Sequence, residues 1–408
     1  MSDLPSLMSF AAMYGCFYKT LSFSVSNLPK LQSIVLGGYA FFTGTNLTLT
    51  NLPELRSLRI GVRSFGSATS FTLSNLPELD TVSIGDFSFL TATQLTLSEL
   101  PKLSSFRTGG FHYATTFTLS NLPQLSSFTT GFEGFFKVQT FTLSNLPQLA
   151  FLSVGYESFY EVTNLQLSGL PQLKSFVTDY GSFYSTTMLS FSNLPQFTTF
   201  STGDYSFFST TKLSIPYLSS LTTLIIGKYS FCYSTSFTLS NLPQLTTFIA
   251  KEGAFLKTTS ASLYSVRFIN GTYTPGTFAF FSLGSSGIRH DTASEYITNC
   301  ILNSNCSSIT PSSKPTCRGS LTISSDSSCQ RLYENYWTTI TVNSGYCNSL
   351  TSGITWENNP CLTDVVVNEN ALRNVNSLTI RNNPVLNKLY FDRYAFQYTN
   401  HVTLTSHL

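Results

Sequence analysis

The groups with chemistry to offer in this 408-residue chain are its 8 cysteines, its 4 histidines and its 20 acidic residues. Six of the cysteines, Cys300, Cys306, Cys317, Cys329, Cys347 and Cys361, lie in one stretch. Their number is even and no C-x-x-C pair occurs, which points to disulfides in an oxidising compartment rather than to zinc. The spacing alone does not choose among the possible pairings. Sequons at Asn46-Leu-Thr48 and Asn270-Gly-Thr272 permit glycosylation, with a weaker third at Asn305-Cys-Ser307. His112, His290, His401 and His407 are scattered without the spacing of a metal site or a triad. Asp86, Asp179, Asp204 and Glu157 fall near one corner of successive repeats, where acid–base pairing is conceivable. Solvation of an edge is the simpler role. No glycine-rich phosphate loop occurs, so the sequence implies no catalysis, no metal and no cofactor.

Two surface patterns remain, and both are rows. One is aromatic: Tyr18, Phe42, Phe136, Tyr160, Tyr184 and Phe208, flanked by Tyr39, Phe87, Tyr156, Tyr180, Tyr205 and Tyr229. Rigid aromatics bring contact area at small entropic cost, so Tyr156, Tyr160, Tyr180, Tyr184, Tyr205, Phe208 and Tyr229 are the candidate ligand-binding residues. The bland account is that the stripe packs against itself and closes a corner. The other pattern is hydroxylic: Thr48, Thr72, Thr96, Thr118 and Thr142, then the pairs Thr198-Thr199, Thr222-Thr223 and Thr246-Thr247. Such rows resemble those of ice-binding solenoids, although β-propensity alone explains Thr on an exposed strand.

These rows need a scaffold that repeats, and the phrase Phe141-Thr-Leu-Ser-Asn-Leu-Pro-Gln-Leu149 supplies its unit. It recurs at Phe71–Leu79, Phe117–Leu125 and Phe237–Leu245. Prolines at 5, 29, 53, 77 and 101 are each 24 apart, and 123, 147, 171 and 195 follow after one step of 22. Pro216 stands in for the next, and Pro243 restores the column. A second column runs Phe17, Phe41, Phe65, Phe89, Phe135, Phe159, Phe183, Phe207, Phe231 and Phe255, with Tyr113 taking the place in the short repeat. Within a unit, Phe71-Thr-Leu73 and Val82-Ser-Ile84 alternate as strands do, and Asn75-Leu-Pro77 supplies the corner between them. The Asn column, from Asn27 to Asn241, is expected to form a buried hydrogen-bonded ladder satisfying turn backbone.

The expected fold is therefore a β-rich solenoid, a parallel array of 24-residue coils with almost no helix. Roughly eleven N-terminal coils at a rise of ~4.8 Å span about 50 Å. Cys16 and Cys232 would then lie ~43 Å apart, beyond the ~7 Å a disulfide spans, and are expected as buried free thiols. The array is expected over 1–281, with a cysteine-rich insertion or degenerate repeats over 282–353 and resumed repeats over 354–408. Both ends read as unfinished repeats, as in a piece of a longer protein. Charged residues make up 10%, against ~25% in an average protein, and the net charge is +2. Nothing here is a nucleic-acid footprint, and no apolar run is long enough for a transmembrane segment.

Leu55-x-x-Leu58-x-Ile60-x-x-x-x-Phe65 resembles the leucine-rich repeat. Ile84-Gly-x-x-Ser-Phe89 and Ile226-Gly-x-x-Ser-Phe231 look like its BspA-like branch, and Leu378-x-Ile-x-x-Asn-Pro384-x-Leu386 looks like the receptor L-domain repeat. The resemblance implies a right-handed solenoid and a surface-exposed or secreted role in binding proteins or host matrix. The expected function is an extracellular or cell-surface adhesion and recognition module that binds protein or glycan along one face. The alternative is a structural or ice-binding surface protein.

Overall fold

A computed structural model describes residues 4–266, 272–276, 279–283, 287–291, 294, 297–298, 301–302, 318–333, 337–357, 361–381, 383 and 385–405. Contacts divide the chain into two units: residues 1–262, 270–289 and 299–308, and residues 263–269, 290–298 and 309–408.

In the first unit each coil contributes one strand of about five residues, one of about four and a turn-rich third side. Thr140–Ser144 and Phe151–Val154 form one such pair. Alternation decides which side chains enter the core. Phe141, Leu143, Leu152 and Val154 point inward and are buried, as are Leu146 and Leu149 at the corner between the strands. The shorter strands stack into one parallel sheet of 12. The register follows the repeat, with Phe151 opposite Ser175 and Thr199 opposite Thr223. This is the expected 24-residue β-solenoid.

Both corners depend on left-handed backbone. Asn27, Asn51, Asn75, Asn121, Asn145, Asn193 and Asn241 all sit at φ between 51° and 57°. Asn is among the few side-chain-bearing residues that tolerate this region. The ladder expected here exists, since Asn51 Nδ2 donates to Asn27 Oδ1 (2.8 Å) and Asn145 Nδ2 to Asn121 Oδ1 (2.7 Å). It is not buried: most of the column is exposed. Backbone angle, not burial, selects Asn. Tyr217 takes the seat after Asn193 (φ 56°), so Pro216, paired with Ser240, replaces the Ser of the repeat and not its Pro.

At the third side the Phe column is left-handed as well. Phe41, Phe65, Phe89, Phe135, Phe159, Phe183, Phe207, Phe231 and Phe255 have φ of 51–58° and are 0–2% exposed. Such a seat costs a bulky residue about 1–2 kcal/mol. Burial of a whole ring outweighs that. Neighbouring rings along the column stack at centroid distances such as 5.3 Å for Phe41–Phe65 and 5.2 Å for Phe135–Phe159. A serine before most of these Phe residues closes the coil: the Oγ of Ser158, Ser182, Ser206 and Ser230 each donates at 2.7 Å to a backbone carbonyl of the preceding coil.

In the short coil the Phe place belongs to Phe111, not to Tyr113 as its sequence position suggested. Phe111 is 0% exposed at φ 64°, whereas Tyr113 is 49% exposed. The strands before the deletion keep the 24-residue register, Thr81 opposite Ser105. The two residues are missing between Gly109 and Phe111, where the preceding coil has Asp86, Phe87 and Ser88 between Gly85 and Phe89. Asp86 fills the gap. Its Oδ1 accepts from the amide of Phe132, two coils on, at 3.1 Å. A Cβ on Gly109 would lie 1.8 Å from that oxygen, which explains a glycine there.

The second unit winds in the same way. Arg318–Ile323, Trp337–Val342, Asp364–Val367 and Lys388–Phe391 form a parallel sheet of 4, and Ile354–Glu357, Ser377–Arg381 and His401–Thr405 one of 3. The steps are uneven. Arg318 pairs with Trp337, Thr339 with Asp364, and Asp364 with Lys388. A 3-10 helix, Asp326–Tyr333, takes the place of a strand, and Trp356 Nε1 donates to its Leu332 carbonyl at 3.1 Å. The described part of the cysteine-rich stretch is thus irregular coils, pinned by a disulfide between Cys329 and Cys347 with Cα atoms 5.6 Å apart. Cys361 is disulfide-bonded too. Cys300, Cys306, Cys317, Asn270 and Asn305 lie outside the described residues. Cys16 and Cys232 are free as expected, but Cys16 is only half-buried. Among the described residues no helix is long and apolar enough to cross a membrane.

Candidate recognition face

The residue after most column Phe residues is partly exposed, as at Phe136, Tyr160, Tyr184 and Phe208, and so are residues two or three before it. The coil pitch therefore stacks them into two aromatic ladders. One ladder runs Phe136–Tyr160–Tyr184–Phe208, each step 4.8 Å between centroids and nearly parallel. His112 continues it below, stacked on Phe136 at 4.9 Å. The other runs Phe132–Tyr156 (4.7 Å), Tyr156–Tyr180 (5.0 Å), Tyr180–Tyr205 (5.3 Å) and Tyr205–Tyr229 (5.2 Å). Tyr205 and Phe208 join the two at 6.1 Å. All seven candidate binding residues fall on this surface, and all but Tyr180, which is exposed, are half-buried.

The second ladder changes register. Through Tyr180 its rings come three positions before the column Phe; from Tyr205 they come two before it. Gly181 makes the exchange possible, sitting at φ +65° where a Cβ would meet Glu157 Cγ at 2.9 Å. That seat, two before each column Phe, is left-handed along the array: Tyr39, Arg63, Phe87, Glu133, Glu157, Tyr205 and Tyr229 occupy it with φ of 50–58°. Its composition varies from coil to coil, so the repeat pattern finds its aromatic occupants but not the seat they share with Arg63, Glu133 and Glu157.

The ladders use their ring faces on each other. What they present outward is ring edges and phenol hydroxyls. Burial raises the pKa of Tyr156, Tyr160 and Tyr184, so these phenols stay protonated. Cations of the chain lie over several rungs: Arg63 over Phe87 (5.2 Å) and Tyr39 (5.9 Å), Lys137 over Phe136 (5.3 Å) and Lys257 over Tyr233 (3.6 Å). Carboxylates of the same side pair with cations too: Glu161 with Lys137, Glu252 with Lys228 at 3.1 Å and Asp204 with Lys251 at 3.9 Å. Glu133 lies 3.3 Å from His112 Nδ1. Burial first, and Lys137 second, lower the His112 pKa, which favours the neutral ring. Glu157 has no ion pair among the described residues; burial and the nearby Glu133 raise its pKa, and the Tyr156 phenol beside it pulls the other way.

Asp86, Asp179 and Asp204, three of the four acids singled out as a conceivable pair, accept from turn amides. The amide of Tyr180 donates to its neighbour Asp179 at 2.7 Å and that of Lys228 to Asp204 at 2.8 Å, as Phe132 does to Asp86. The Thr rows divide. Thr198, Thr222 and Thr246 donate to carbonyls of the preceding coil at 3.0–3.2 Å, so those hydroxyls are engaged. Thr72, Thr96, Thr118 and Thr142 are exposed on their strands, and Asn46 is exposed at the start of Asn46–Thr50. No protein-family model, no curated protein and no solved structure matches this chain.

Proposed function

We propose that the chain is an extracellular or cell-surface recognition module that binds a protein or glycan partner along the aromatic side of its first unit. The observation that carries this is the preformed double ladder, with Tyr156, Tyr160, Tyr180 and Tyr184 held half-open by stacking. Rigid amphipathic rings lose little entropy on binding, and such surfaces supply the anchors of recognition sites. The Cys329–Cys347 disulfide supports the oxidising setting. Leucine-rich or BspA-like ancestry is a proposal of the same standing, supported by the repeat residues and the coil geometry.

Of the two ligand classes, the geometry favours protein. A sugar ring packs flat on an aromatic face, and these faces are covered by the next rung. Phenol hydroxyls and electropositive ring edges suit polar groups of a polypeptide instead. The test is binding to arrayed extracellular-matrix proteins and glycans with Tyr160→Ala plus Tyr184→Ala. Loss of the captured partner at unchanged fold supports the site, and retention removes it.

A further inference from the structure

Along the aromatic side the chain's own cations lie over several rings. At the left-handed seat of one coil, Arg63 lies between the rings of Tyr39 and Phe87, a cation supplied by the chain itself. Lys137 covers Phe136 and Lys257 covers Tyr233 in the same manner. The same seat, four coils beyond Arg63, holds Glu157. Tyr156 and Tyr160 lie near its carboxylate, each stacked on a ring of the next coil, Tyr180 and Tyr184, and no cation of the chain lies over any of these rings among the described residues. Glu133, Glu161 and Glu252 each have a basic neighbour, and Glu157 has no ion pair among the described residues. Gly181 in the next coil leaves the space above its side chain free of a Cβ.

We infer that the stretch around Glu157, framed by Tyr156, Tyr160, Tyr180 and Tyr184, takes a lysine or arginine side chain from a protein partner. This builds on the recognition role proposed above and names the chemistry of the partner. A partly desolvated carboxylate with no ion pair among the described residues, which accepts from the Tyr156 phenol and keeps further acceptor sites, suits a guanidinium or ammonium. A charge-assisted contact of this kind adds specificity as well as affinity, because a neutral or acidic side chain gives the carboxylate no counter-charge. The chain's net charge of +2 gives a polycation no general attraction, so binding must be local.

The test is fluorescence anisotropy with a labelled oligo-arginine peptide, using an oligo-glutamine peptide of equal length as the neutral control. Glu157→Gln is expected to weaken oligo-arginine binding by about tenfold or more. Gly181→Ala, which keeps every charge but crowds Glu157, is expected to weaken it as well. Glu54→Gln, at the proline corner, is expected to leave it within about twofold, since isolated exposed charges contribute little. Equal affinity of the wild type and Glu157→Gln would overturn the inference, as would an equal loss in Glu54→Gln. If the peptide fails while Tyr160→Ala plus Tyr184→Ala still abolishes capture of a matrix partner, the cation seat falls and the recognition face stands.

Discussion

The inner and outer aromatic stacks differ by one residue in sequence and by everything in environment. Phe159 and Phe183 stack at 5.4 Å in the core; Tyr160 and Tyr184, one position on, stack at 4.8 Å at the surface. Both are set by the same pitch. Stacking by itself therefore says nothing about function, because a 24-residue coil piles up whatever residue it repeats. The inner column is almost invariant along the array and supplies cohesion. The outer ladders keep their rings yet break pattern at His112, Arg63, Glu133, Glu157 and the Tyr180-to-Tyr205 shift. Departures from the period, not the period, mark where the surface became particular.

Several substitutions would break or sharpen that contrast. Phe159→Ala should destabilise the first unit by about 3–5 kcal/mol, a large ring leaving a large cavity. Tyr160→Ala, next to it, should cost no more than about 1 kcal/mol. Urea unfolding of both separates them, and equal losses would dissolve the distinction between glue and surface. Cys329→Ser plus Cys347→Ser should cost the second unit about 3 kcal/mol through the freed unfolded chain. Hydrogen exchange should show that loss in strands such as Trp337–Val342 while the Phe column stays protected. Asn145→Ala should cost about 1–2 kcal/mol for a left-handed alanine, whereas Asn145→Gly should be near neutral, as thermal melts would show.

The smallest effect has the most telling sign. Burial raises the Glu157 pKa in the fold, so the folded chain holds that proton more tightly than the unfolded one. Its contribution to stability therefore improves as pH falls through the raised value and is lost as pH climbs past it. Glu157→Gln should leave the melting temperature unchanged or slightly higher at neutral pH, with the difference vanishing in acid. A clear drop would make Glu157 a structural residue. His112 has the opposite sense: its lowered pKa means stability is lost as the ring is forced to protonate.

Most of the architecture was legible because it repeats. The Phe and Pro columns, the alternating triplets such as Phe71-Thr-Leu73 and the turn chemistry of Asn75 all declared strands and corners. What periodicity hid was anything unrepeated or carried by angle. Asn is chosen for φ and only secondarily for its ladder bond. Tyr113 looked right by counting from one side, but the deletion lies before Phe111, and only the course of the backbone reveals that. The seat of Glu157 varies from coil to coil, so no column exposes it. The aromatic candidates were found together because a period was enough to find them.

The short coil carries a lesson in construction. Two residues vanish from the turn side, the Phe column continues through Phe111, and Asp86 reaches down to the amide of Phe132 to mend the seam. The sheet of shorter strands runs unbroken through the short coil, whereas the longer strands break between Gln94–Ser98 and Thr116–Ser120. Length can thus be edited on one flank, rung by rung, while the sheet of shorter strands remains a fixed frame, and the flank that tolerates editing is the one bearing the aromatic rows. A lineage or a designer could respace the binding surface like the teeth of a comb without recutting the spine.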